Sequence, residues 1–177
     1  IREEYARKKT VFFCVPTAED AKRYAHILPK GIEQYVYTFY TSLPKKKILE
    51  IWGKCINEIH PILIIATAPF FAIDRCDIGT IVIENESSRS YKLSVRPYID
   101  IRTFSEFFAK EHGAKIIIGD TLLRTETIFR TKQGEYAEFA PLKFRSLTPA
   151  QMTIVDMNGY KKTAGGKFET VSTELET

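Results

Sequence analysis

The segment IVIENESSRSYK, residues 81 to 92, decides the fold class. Its first three residues are β-branched, as is typical of a strand buried on both faces of a sheet. The run ends abruptly at Glu84-Asn85-Glu86, and a polar segment with one tyrosine and one lysine follows. In an α/β protein this is how a strand delivers carboxylates to the sheet edge where ligands bind. The segment therefore predicts an α/β protein, and it raises the question of whether these acids form a working site.

Other apolar runs of strand length alternate with helical patterns along the chain. The predicted strands are TVFFCVP (10–16), QYVYTFY (34–40), PILIIAT (61–67), GTIVIEN (79–85) and AKIIIGD (114–120). Strands that alternate with helices and read as nearly continuous Val, Ile and Phe are typical of an open parallel sheet covered on both faces. The sequence therefore predicts a three-layer α/β fold with a parallel sheet.

Capping residues and apolar spacing predict the helices between these strands. Thr17 is suited to cap a helix through Asp20, and Ser42 and Pro44 open another helix with an apolar face. A helix over 100–112 is expected to turn Phe104, Phe107 and Phe108 inward and to end at Gly113 in a left-handed conformation. A last helix is predicted over 121–132, closed by Gly134.

The composition is that of an ordinary globular protein, and it excludes few functions. The 177 residues suffice for one domain, and no apolar run reaches the roughly 18 residues that a membrane helix requires. A net charge of +4 is compatible with binding of nucleic acid but does not by itself argue for it.

Cys14, Cys55 and Cys76 lack metal-ligand spacing and lie among apolar residues, so we expect buried free thiols, no metal site and a cytoplasmic location. The chain opens in mid-helix without a start Met, and we expect a fragment of a longer protein.

Polar loops follow four of the predicted strands. They are Pro16-Thr17, Thr67-Ala68-Pro69, Glu84-Asn85-Glu86 and Gly119-Asp120-Thr121. Because the carboxyl ends of parallel strands meet at one edge of a sheet, we expect these loops to converge there. This edge is the predicted functional site.

Taken together, these loops resemble the first motor lobe of superfamily 2 helicases, and most closely the PriA-type replication-restart helicases. The resemblance covers most of the chain and runs through VFFCVPT, ILIIATAPFFAIDRCDIGTIVIENESSRSYK, RPY (96–98), IIIGDTLLRTETIFR (116–130) and IVDM (154–157) in the family's order. It implies a RecA-like lobe over 1–135 that lacks its Walker A segment, and a loop-rich extension over 136–177 toward a second lobe.

The resemblance also indicates that the family's catalytic chemistry is degenerate here. The family uses ATP and Mg²⁺, with a phosphate-binding loop that would lie upstream of Ile1 and an Asp-Glu-Glu-His motif. In this chain Glu84, Asn85, Glu86 and Ser87 stand at that motif. Asn85 replaces the glutamate that orients the attacking water, and an amide cannot act as a carboxylate base. We therefore expect no intact catalytic residue and no turnover of ATP by this fragment.

The family's coupling motif, Gly-Ser-Ala-Thr-Pro, is changed as well. It reads Gly119-Asp120-Thr121-Leu122-Leu123 here, and the two leucines are expected to seek apolar cover.

Binding of DNA is the property that is expected to survive. By the resemblance, Thr17, Thr67, Lys92 and Arg96 would contact phosphates, and Tyr91 and Tyr98 would stack on unpaired bases. The alternatives are that Tyr91 packs under the loop and that Arg96 pairs with Glu86 or Asp100.

Three hypotheses for the function follow. The first is a divergent PriA-like helicase lobe in DNA replication restart or repair, with single-stranded or forked DNA and other replication-restart proteins as partners and no membrane. The second is a catalytically inactive DNA-binding or scaffold module that keeps the lobe's fold. The third is an unrelated α/β nucleotide enzyme, which requires the matches at SYK, RPY and IVDM to be accidental.

Overall fold

A computed structural model describes residues 1–73, 75–94 and 96–139. Five parallel strands form one sheet: β1 (Thr10–Val15), β2 (Val36–Phe39), β3 (Leu63–Thr67), β4 (Ile78–Glu84) and β5 (Lys115–Gly119). Their order across the sheet is β2-β3-β1-β4-β5, so β2 and β5 are its edges within the described residues. The predicted parallel α/β sheet is confirmed.

Alternate residues of each central strand enter two separate hydrophobic clusters, one on each face of the sheet. Phe12 and Cys14 of β1 face one cluster, whereas Val11 and Val15 face the other. This alternation follows from the two-residue period of a strand, and it explains why these strands must be apolar on both sides.

Helices cover both faces. The helices are α1 (Arg2–Ala6), α2 (Ala18–Ile27), α3 (Lys45–Asn57), α4 (Ile101–His112) and α5 (Thr125–Lys132). The cluster with Phe12 includes Trp52 of α3 and Phe108 of α4, and the opposite cluster includes Tyr24 of α2. The fold is therefore a three-layer arrangement of helix, sheet and helix.

Several predicted helix ends are confirmed. The Thr17 side chain accepts a hydrogen bond from the Asp20 amide at 3.1 Å and caps α2. Gly113 ends α4 at φ +60°, a backbone conformation that glycine adopts without steric strain. The helix expected over 121–132 begins only at Thr125.

Some predicted burials are wrong. Phe107 is 66% and Phe104 is 38% exposed although their helical spacing placed both inward, and Leu122 is 76% exposed without the expected apolar cover. Cys76 is exposed, whereas Cys14 and Cys55 are the predicted buried thiols. Residues 140–177 of the predicted extension (136–177) lie outside the described residues, as does IVDM (154–157).

Candidate functional site

The carboxyl ends of β1, β3, β4 and β5 meet at one edge of the sheet. Val15 of β1 pairs with Thr67 of β3, Glu84 of β4 pairs with Gly119 of β5, and β1 and β4 are themselves paired up to Cys14 and Ile83. The four predicted polar loops therefore do converge. We call this edge, with the loops that follow Val15, Thr67, Glu84 and Gly119, the rim.

Glu84 is held against α2. One of its carboxylate oxygens accepts a hydrogen bond of 2.6 Å from the Tyr24 hydroxyl. Burial and this neighbouring carboxylate raise the pKa of Tyr24, so the phenol stays a donor at physiological pH. One carboxylate oxygen of Glu84 is therefore engaged by the protein itself and is not free to bind a ligand.

Asn85 occupies a turn. Its backbone has φ +53°, a left-handed conformation in which asparagine is enriched, and its side chain is exposed. The Asn85 side-chain carbonyl accepts a hydrogen bond of 3.3 Å from the Ser87 hydroxyl. Asn85 thus projects from the rim with a neutral amide.

Glu86 is a structural residue that links β4 to α5. Its side chain is almost fully buried, and its carboxylate accepts hydrogen bonds from the Arg124 amide at 2.8 Å and the Thr127 hydroxyl at 2.7 Å. The Glu86 carbonyl also accepts a hydrogen bond of 2.6 Å from the Arg102 guanidinium. These bonds satisfy a carboxylate that would otherwise be costly to bury, and they leave it inaccessible to a substrate.

Asp120 joins the loops after β4 and β5. Its carboxylate accepts hydrogen bonds from the Ser87 amide at 2.7 Å and the Leu122 amide at 3.3 Å. Burial opposes ionisation of Asp120, but the hydrogen bonds from Ser87 and the neighbouring amides outweigh it, so the pKa of Asp120 lies below its usual value. Gly119 takes part in the same link, because its carbonyl accepts a hydrogen bond of 3.2 Å from the Glu86 amide. Thr121, the third residue of the predicted coupling motif, is exposed.

Tyr91 belongs to the core beneath the rim. Its ring is fully buried, and its hydroxyl donates to the Glu84 carbonyl at 2.6 Å and lies 3.1 Å from the Cys14 carbonyl. Burial raises the pKa of Tyr91 and keeps this donor protonated. The expectation that Tyr91 stacks on a base is therefore corrected: it has no accessible ring face, and the alternative of packing under the loop holds.

Three cations and one aromatic ring are exposed in the segment after β4. Arg89, Lys92 and Arg96 form no ion pair within residues 1–73, 75–94 and 96–139, and Tyr98 is 61% exposed. We call these four residues the cationic loop. Asp100, proposed above as a partner of Arg96, instead forms an ion pair of 2.8 Å with Arg102, and Glu86 binds α5. Arg96 is therefore free of both predicted partners.

The two threonines predicted to contact DNA lie in different environments. Thr17 is exposed, but its hydroxyl donates to the Asp20 carboxylate at 2.6 Å as part of the α2 cap. Thr67 is 5% exposed, and its hydroxyl has no hydrogen-bond partner among the described residues. Thr67 is thus corrected from a surface contact to a buried strand end.

The acids of the rim do not form a ready-made metal site. No group of three carboxylate, histidine or cysteine side chains in the described part of the chain is arranged to hold a metal ion. Half of the Glu84 carboxylate is bound by Tyr24, and Glu86 is bound by α5. Glu86 is therefore unavailable to a ligand, and Glu84 has one oxygen already engaged.

The sequence alone did not identify the structural roles of Glu86, Arg102 and Thr127. Their interactions join segments from 16 to 41 residues apart, and no local motif marks them. The one available signal was the Asp100-x-Arg102 spacing at a helix start.

No protein-family model matches the chain. No helix among the described residues has the length and apolar character to cross a membrane.

Proposed function

We propose that this chain is a RecA-like lobe of a divergent PriA-type helicase, that it acts in DNA replication restart or repair, and that it binds DNA without hydrolysing ATP. The observation that carries the proposal is the contrast at the rim between engaged acids and free cations. The acids Glu84, Glu86 and Asp120 are engaged by protein donors. The cations of the cationic loop are exposed and unpaired within the described residues.

The loss of hydrolysis rests on the chemistry of the rim. ATP hydrolysis requires a carboxylate that orients water and another that holds the metal ion. At the position of the water-orienting carboxylate, Asn85 offers an amide, which neither accepts a proton nor carries charge. At the position of the metal-binding carboxylate, one oxygen of Glu84 is already hydrogen-bonded to Tyr24.

DNA binding rests on the charge and exposure of the cationic loop. Arg89, Lys92 and Arg96 would neutralise phosphates and release counterions, which gives affinity independent of sequence and strongly dependent on salt. The exposed ring of Tyr98 offers a face to an unpaired base, a contact worth roughly 1–3 kcal/mol. This combination favours single-stranded or forked DNA over a continuous duplex.

The test is the salt dependence of binding to fluorescent single-stranded and forked DNA. Each phosphate contact contributes roughly −0.7 to the slope of log K against log salt concentration for single strands. The double substitution Lys92→Ala with Arg96→Ala is expected to make the slope shallower by about 1.4. The matched control is Lys45→Ala with Lys46→Ala, which removes two exposed charges from α3 and should leave the slope unchanged. Equal slopes for both double variants, or no binding at low salt, would contradict the proposal.

The proposed absence of ATP hydrolysis is tested separately, in the intact parent protein. Phosphate release is measured with and without single-stranded DNA, and no stimulation by DNA is expected. Robust ATP turnover stimulated by DNA would overturn the claim that ATP is not hydrolysed and would leave the claim of DNA binding unaffected.

A second candidate is a scaffold module that binds partner proteins instead of DNA. It is favoured by apolar side chains exposed in the segment that follows β5, namely Leu122 at 76% and Phe129 at 60%. Other replication-restart proteins are the partners that the resemblance suggests. This candidate predicts that the Lys92 and Arg96 substitutions change nothing, so the salt titration distinguishes the two.

A further inference from the structure

A groove runs along β2, at the opposite edge of the sheet from β5. Its volume is about 300 Å³, and it is lined by β2 residues on one side and by Lys47, Ile51 and Lys54 of α3 on the other. These α3 residues recur at four- and three-residue intervals, so they form one stripe along the helix. The groove takes no part in the function proposed above.

The backbone of β2 is available for pairing on this side. β2 pairs with β3 alone among the described strands. Alternate N–H and C=O groups of an edge strand point away from its neighbour and can pair with an added strand. Val36, Tyr37 and Thr38 are half-buried and line the groove, so β2 and the α3 stripe border the same space.

The walls combine an apolar centre with positive charge at both ends. Ile51 and Leu43 are half-buried apolar residues, and Lys47 and Lys54 are exposed on either side of Ile51. Lys47 forms no ion pair within the described residues, and Lys54 pairs with the exposed Glu50 at 2.7 Å. An exposed pair of this kind is weak and is readily exchanged for another carboxylate.

The spacing of the two lysines falls between the two-residue and four-residue spacings on one face of a strand. Seven helical residues rise about 10.5 Å, whereas strand residues two and four apart on one face are separated by roughly 7 and 13 Å. Lysine side chains are long and flexible enough to meet carboxylates at either separation. An apolar residue midway between two acids would lie opposite Ile51.

We propose that the β2 edge and α3 form a binding site for an extended acidic peptide of a partner protein, which adds to the sheet as a further strand. Backbone pairing would supply much of the affinity, and the lysine stripe would select acidic segments. The same lysines disfavour pairing of two copies through β2, because each copy would bring like charges to the shared edge.

The binding test uses a fluorescent decapeptide with two glutamates four residues apart, a valine midway between them and threonines elsewhere. Anisotropy at low salt is expected to show saturable binding, which the same peptide with lysines in place of the glutamates does not show. Lys47→Glu with Lys54→Glu is expected to weaken binding at least about tenfold, since two attractions become repulsions. The matched control, Lys45→Glu with Lys46→Glu, makes the same charge change outside the groove lining and should stay within about twofold.

Backbone pairing is tested with two versions of the peptide that are N-methylated at alternate positions in opposite phase. Only one phase points its N–H groups at β2, so one version should lose binding and the other should keep it. Equal effects of the two versions, or equal effects of the two double variants, would overturn the proposal. The proposal would also be overturned if the unliganded protein sediments as a dimer and the double variant Lys47→Glu with Lys54→Glu sediments as a monomer. Displacement of the peptide from the groove by an oligothymidylate would overturn it as well. None of these variants alters the cationic loop, so failure here leaves the proposed DNA binding untouched.

Discussion

Strands β3 and β5 are nearly equal in apolar character but differ in burial. β3 reads LIIAT and every one of its residues is buried, whereas β5 reads KIIIG and none of its residues is fully buried. Both strands are parallel, and each has five residues. The difference therefore lies in their places in the sheet and not in their composition.

The strand order accounts for the difference. β3 lies between β2 and β1, while β5 has β4 on one side and no strand on the other within the described residues. Apolar side chains are also exposed on the chain segments before and after β5, among them Phe107, Leu122 and Phe129. An apolar sequence indicates that a strand favours burial, but the elements packed beside that strand determine how much of it is buried.

The largest expected effect comes from the same substitution in the two strands. Ile64→Ala in β3 removes a fully buried side chain and should lower the free energy of unfolding by about 3–4 kcal/mol. Ile117→Ala in β5 removes a side chain that is already partly exposed, and about 1 kcal/mol is expected. Urea unfolding of both variants measures the two values.

Equal losses for Ile64→Ala and Ile117→Ala would contradict this account. They would indicate that β5 is covered in solution to the same extent as β3, for example by an additional strand. The comparison therefore also measures whether the β5 edge is free.

A smaller effect separates two tyrosines only seven residues apart. Tyr91→Phe removes a hydroxyl that lies against the carbonyls of Cys14 and Glu84 in the buried base of the rim. Leaving these acceptors with one partner fewer should lower the free energy of unfolding by about 1–2 kcal/mol. Tyr98→Phe changes an exposed hydroxyl and should be neutral within about 0.5 kcal/mol.

Thermal unfolding followed by circular dichroism measures both tyrosine variants, and binding of single-stranded DNA provides a second measurement. Tyr98→Phe keeps a ring that can stack, so DNA affinity should be retained. Tyr98→Ala should weaken it while stability changes little. A destabilising Tyr98→Phe together with a neutral Tyr91→Phe would reverse the assignment of core and surface.

The elements could be predicted from the sequence because their signals are local. The strand TVFFCVP, the Thr17 cap and the Gly113 helix end each depend on a few adjacent residues. The sequence left the placement of Tyr91 open between base stacking and packing under the loop, and it did not predict the burial of Thr67, because both depend on how the strand ends meet. The role of Glu86 depends on Thr127, 41 residues away, whereas the sequence placed Glu86 among the carboxylates of the rim.

The exposed apolar side chains of the segment that follows β5 give the smallest expected change in stability and the most informative change in association. Phe129 is 60% exposed on α5, so Phe129→Ser should alter the free energy of unfolding by less than about 0.5 kcal/mol. The matched control is Ile59→Ser, which removes another apolar side chain, 94% exposed before β3. If the exposed residues that follow β5 form an adhesive surface, Phe129→Ser will reduce light scattering at high protein concentration and Ile59→Ser will not. Equal scattering by both variants would mean that Phe129 attracts partners no more than another exposed apolar residue does, and the contrast between β3 and β5 would then concern stability alone.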